Sequence, residues 1–204
     1  MLNIVLIIIS VVCFLAFVLW QARRSSIVNV PARNRHFSRL ANELKLKTAG
    51  DDYFLQLEGN WNGVPVIVYP HNFEGPGLIT LFYADTGVPF EERSWIEPAL
   101  SLGRAVVEWK AGHKFSFEYS GSSTLKAYPV VEVLERYRDR YPYLGVTLPT
   151  RLVFSQYVMA ALSNLPNYIA LVVMDSGRRP TVEEMEESLN AVTDIAKTVR
   201  STLT

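Results

Sequence analysis

The sequence predicts an α+β protein in which a single N-terminal membrane helix is followed by a domain of antiparallel or mixed sheet with helices packed on it. Three observations lead there. An uncharged apolar run opens the chain, short β-type runs with turn residues between them fill the middle, and two segments with helical spacing lie before and after those strands. A stretch repeated ninety residues apart adds the expectation of a pseudo-two-fold.

The opening run, Leu2 to Trp20, holds nineteen residues without a charge. As a helix it is about 28 Å long, near the ~30 Å hydrocarbon thickness of a bilayer. Fourteen of its positions are Leu, Ile, Val or Phe, which favours insertion by something on the order of 4 to 8 kcal/mol. Trp20 stands where an interfacial aromatic belongs, and Arg23 and Arg24 follow as a polar stop. A signal peptide would carry a basic start, a shorter core and a small-residue cleavage site, none of which is present. Ser10, Cys13 and Ala16, at three-residue spacing, offer a narrow face along which another membrane helix can approach. Cys13 is the only cysteine, so no internal disulfide can form.

Charge sets the expected orientation. Arg23, Arg24, Arg33, Arg35 and Arg39 follow the apolar run closely and no basic residue precedes it, so the N-terminus is expected outside and the C-terminal domain in the cytoplasm, at the inner (plasma) membrane. The formal net charge of zero hides an asymmetry: residues 21–49 sum to +6 and residues 50–204 to −6. The basic collar is attracted to anionic headgroups and the acidic body is repelled. An acidic domain without a basic face is a poor match for nucleic acid. The expected organisation is an anchor over 1–21, a basic linker with Pro31 over 22–35, and a domain over 36–204, with possible halves at 36–103 and 104–204.

Within the domain, Phe37, Leu40, Ala41 and Leu44 have the spacing of one helix face. Asn62-Gly63 separates two β-type runs and predicts a tight hairpin, with Pro65 arguing for an edge strand or a bulge. Residues 78–84 read as a strand too apolar for solvent on both sides. Residues 90–102 read as a short or kinked helix because of Pro98, 104–119 as a hairpin about Ala111-Gly112-His113, and 130–141 as a helix with Val130, Leu134, Tyr137 and Tyr141 on one face. Residues 151–154 suggest a strand, 156–163 fit either strand or helix, and 168–174 form a buried strand. A long final helix begins after Pro180, where Thr181 and Glu184 have the spacing of a capping box. Its apolar stripe runs from Val182 through Met185, Leu189, Val192 and Ala196 to Val199 and is expected to pack on the sheet.

Two segments match in register: Ile79 to Gly87 and Ile169 to Gly177, each an apolar strand ending in Asp, then Thr or Ser, then Gly. The simple reading is a corner, in which the Asp forms an Asx-turn, the hydroxyl supports it, and the Gly takes a positive φ that lets the chain turn into a helix. The triplet also resembles the catalytic signature of aspartic proteases, which occurs once in each half of a pseudo-symmetric molecule. That resemblance implies Asp85 and Asp175 as a dyad sharing one proton. It covers these two triplets alone, and the helical patterns around them depart from that nearly all-β family.

His36, His71 and His113 lack metal-ligand spacing. No phosphate-binding glycine motif or nucleophile elbow is present, and nothing calls for a cofactor or a metal. The expected function is a non-catalytic, single-pass accessory or scaffold subunit whose cytoplasmic domain binds another protein of a larger membrane complex. The alternatives are a membrane-anchored hydrolase using Asp85 and Asp175, and a sensor of anionic lipid using the Arg23-to-Arg39 collar.

Overall fold

A computed structural model of the chain describes residues 14–15, 30–50, 55–72, 78–89, 95–99, 102–114, 116–120, 128–149, 166–175 and 178–204. Helix α1 covers 30–43, followed by strands β1 (Lys47–Ala49), β2 (Gln56–Trp61), β3 (Val64–Asn72), β4 (Leu78–Pro89) and β5 (Trp95–Pro98). Then come helix α2 (Leu102–Lys110), β6 (Phe117–Ser120), α3 (Tyr128–Tyr137), β7 (Tyr143–Thr147), β8 (Asn167–Asp175) and helix α4 (Val182–Leu203). The eight strands form one sheet in the order β1-β2-β3-β4-β8-β7-β5-β6. Every neighbouring pair is antiparallel, so the expected α+β class holds and the sheet is not mixed.

The period of two along the central strands divides the interior into two layers. Phe82 and Ala84 on β4, with Ala170 and Val172 on β8, face α1, α3 and α4, whose Phe37, Leu134 and Leu189 share that core. Leu81 and Tyr83, with Leu171 and Val173, face the other way, toward Ala105 and Val106 of α2. Burial on both faces explains why these strands read as unbroken apolar runs. The stripe of α4 packs on the sheet as expected, with Met185, Leu189, Val192, Ala196 and Val199 all buried. Its capping box is formed: Thr181 Oγ1 accepts from Glu184 N and Glu184 Oε2 from Thr181 N. Asp194 accepts from Tyr137 Oη at 3.0 Å and pairs with Arg136, joining α3 to α4.

The hairpin at Asn62-Gly63 is present, and both residues have positive φ (52° and 83°), as a type I′ turn requires. Its tip is held to α4, where Asn190 Oδ1 accepts from Trp61 Nε1 and Asn62 Nδ2. Pro65 does not make β3 an edge strand, since β3 lies between β2 and β4. Trp61 and Val64 close the turn, so Asn60 and Pro65 form the next, non-hydrogen-bonded pair. The missing N–H therefore points toward β4, whose ladder with β3 begins only at Val66.

The two matching strands pair with each other at the centre of the sheet. Ile79 pairs with Asp175, Leu81 with Val173, Phe82 with Val172, Tyr83 with Leu171 and Asp85 with Ile169. Phe82–Val172 is the middle of this ladder, whose local two-fold is that of any antiparallel pair, and four strands lie on each side of the β4–β8 seam.

Several expectations are corrected. Residues 95–98 are strand β5, not helix, and 102–110 are helix α2, not the first arm of a hairpin. Leu102, Ala105, Val106 and Trp109 have helical spacing, which outweighs the β-branched Val106-Val107 pair. The half boundary at 103/104 therefore cuts a helix, and β5 belongs with the second half of the sheet. Strand β7 was not expected, because Gly145 interrupts its apolar run. There β5 crosses so closely that a Cβ on residue 145 would run into the Ile96 carbonyl oxygen. The linker expected to 35 is helical from 30 onward, since Arg33 lies one turn before Phe37 on the same buried stripe. The predicted strand at 151–154 and the ambiguous 156–163 lie outside the described residues.

Among the described residues no helix is long and apolar enough to cross a membrane. Of the run from Leu2 to Trp20, only Phe14 and Leu15 are described. Both are helical, with 66% and 53% of their surface exposed.

Candidate functional site

The two Asp corners were the strongest chemical candidates, and the antiparallel register decides between their readings. Asp175 lies opposite Ile79, six residues along β4 from Asp85. At about 3.4 Å per residue the two aspartates are roughly 20 Å apart, at opposite ends of one ladder. Carboxylates share a proton only when a few ångströms apart, so the dyad geometry of an aspartic protease does not exist here.

Each aspartate instead holds a piece of the fold. Asp85 Oδ1 accepts from the Gly87 N–H at 2.8 Å, an Asx-turn, while Oδ2 accepts from Asn167 Nδ2. Thr86 Oγ1 accepts from Val88 N and donates to the Tyr168 carbonyl. Gly87 has φ +70°, and the Arg200 guanidinium lies where a Cβ would be, its Nε donating to the Thr86 carbonyl at 2.7 Å. The Asx-turn reading is thus observed at the first copy, with one correction. The chain does not turn into a helix there but continues as β4 to Pro89 after a register shift. At the second copy Ser176 and Gly177 lie outside the described residues. The Asp175 side chain, 1% exposed, pairs with Lys110 Nζ at 2.7 Å. That ion pair joins the last residue of α2 to the last residue of β8.

The arginine collar is partly absorbed by the domain. Arg33, expected at the membrane interface, is buried, and its Nε and Nη2 donate to Asn34 Oδ1. Burial pulls its pKa down, while the electrostatic influence of Tyr69 acts the other way. Arg39 pairs with Glu43 at 2.9 Å, and Arg35 is exposed. Ser10, Cys13, Ala16, Trp20, Arg23 and Arg24 lie outside the described residues. The His36 ring meets the Pro180 carbonyl oxygen at 2.8 Å, linking α1 to the start of α4. His113 Nδ1 lies 2.5 Å from Glu108 Oε2, and this hydrogen bond holds the Glu108 carboxyl below its usual range. Among the described residues no group of three or more His, Cys, Asp or Glu side chains could hold a metal ion.

Two polar residues of the α2-side layer escaped sequence reasoning. Lys110 carries no local signal, because its partner lies sixty-five residues away. Tyr83 is hidden in an apolar strand, where its phenol is buried without a hydrogen-bond partner among the described residues. Burial, then the influence of Tyr69, pushes its pKa far above the ordinary phenol range and keeps it neutral. Compared with known proteins, the chain matches no protein-family model, no curated protein and no solved structure.

Proposed function

We propose that the chain is a single-pass membrane protein, N-terminus outside and domain in the cytoplasm, that serves as a non-catalytic accessory or scaffold subunit of a larger membrane complex. The observation that carries the proposal is the uncharged nineteen-residue run in front of an arginine-rich stretch and an acidic domain. Phe14 and Leu15 support it, since helical, outward-facing apolar side chains suit lipid or another membrane helix better than water. The non-catalytic part is supported by the use of Asp85 and Asp175 as fold-holding groups. The anionic-lipid reading is weaker, because burial of Arg33 and pairing of Arg39 reduce the free charge of the collar.

The test is extraction followed by sizing. A spanning subunit stays in membranes washed with alkaline carbonate, and after mild detergent it migrates with a larger assembly through its tagged C-terminus. Release by carbonate refutes the anchor, and a monomeric peak in every mild detergent refutes the subunit role.

A further inference from the structure

Helix α2 stands apart from the other described helices. The chain passes from β5 to the edge strand β6 through α2. A connection between strands is a place where function can be added without disturbing the core. Helix α2 lies on the face opposite α1, α3 and α4 and packs over β7. Of its described side chains only Ala105 and Val106 are buried, while Arg104, Val107 and Lys110 are exposed, Val107 to 66%. Nine residues are too few for a helix to persist by itself in water. Its last residue is tied down by the Lys110–Asp175 ion pair, in which the lysine stays 52% exposed and the carboxylate is enclosed.

We propose that α2 is a strap, latched by the Lys110–Asp175 ion pair, that opens from β7 while the eight-stranded sheet stays folded and so uncovers the face around Tyr143. Tyr143 belongs to the same buried cluster as Ala105 and Val106, and so becomes accessible when they leave. Local opening of a lightly buried element is much less costly than global unfolding, and water reaches the lysine side of the latch already. The inference does not depend on the membrane reading.

Hydrogen exchange followed by mass spectrometry on the full-length chain in detergent tests it. Amides of residues 106–112 are expected to exchange about 100-fold faster than those of β8 and of the middle of α4. Lys110→Met is expected to speed α2 by a further ~10-fold and to leave β8 unchanged. Because that variant strands a carboxylate, Lys110→Met combined with Asp175→Asn serves as the second variant, with the same pattern expected. Protection of α2 equal to that of β8 in the unaltered chain overturns the proposal. So does acceleration of α2, β8 and α4 together in both variants, or an unchanged α2 rate in both.

Discussion

Replacing Tyr83 by Phe is expected to stabilise the protein, an unusual outcome for a change at the centre of a sheet. The side chain is 1% exposed and its hydroxyl has no hydrogen-bond partner among the described residues. An unpaired buried hydroxyl costs about 1–3 kcal/mol relative to water. Removing it forfeits only the oxygen's own packing, so a net gain of about 1 kcal/mol is expected, or roughly 2–4 °C in Tm for a chain of this size. The assay is thermal and urea unfolding of the full-length chain in one detergent, followed by circular dichroism. Titration provides a second arm. Above pH 10, the phenol's ordinary value, the unfolded chain releases the Tyr83 proton while the native state retains it. The native state then binds more protons, so stability is intact below pH 10 and falls as pH rises above it. Tyr83→Phe removes that contribution, and the alkaline decline should become shallower. Tyr119, Tyr137 and Tyr141, also raised by burial, should preserve part of it. A lower Tm at pH 7 with an unchanged alkaline slope would show that the hydroxyl is bonded in the native protein and refute the reasoning.

Thr181→Ala removes the side-chain half of the capping box of α4 and should cost about 1 kcal/mol, read as a lower urea midpoint with an unchanged m-value. Gly145→Ala forces a methyl against the Ile96 carbonyl and should cost about 1–3 kcal/mol or more, read by urea unfolding and by recovery in the folded fraction. Asp85→Asn keeps an acceptor for Gly87 N but places an NH2 against Asn167 Nδ2, so the Asn167 amide must turn its oxygen inward, and stability should fall by about 1 kcal/mol or less. Asp175→Asn breaks an ion pair with one enclosed partner and should cost about 1–3 kcal/mol, moderated by the exposure of Lys110. An equal loss from both aspartate variants would contradict the difference assigned to the two corners.

Elements whose signals lie within one or two turns of chain were legible before any fold was known. The stripe of α1, the hairpin at Asn62-Gly63, the apolar strands β4 and β8 and the capped start of α4 all follow from spacing and turn chemistry, and the ninety-residue repeat was visible as text. Those signals are local because a helix face, a turn or a cap is made by residues at most a few positions apart. Tertiary structure alone decided the order of the strands, the helical state of 102–110, the existence of β7 and the place of each aspartate. Gly145 makes sense only when β5 lies across it, and Lys110 only when α2 meets the end of β8. The antiparallel pairing of β4 with β8 sends the two matching triplets to opposite ends of one ladder. Parallel pairing of the same two strands would have put them side by side, and strand direction is set by the path of the whole chain rather than by the residues of either strand.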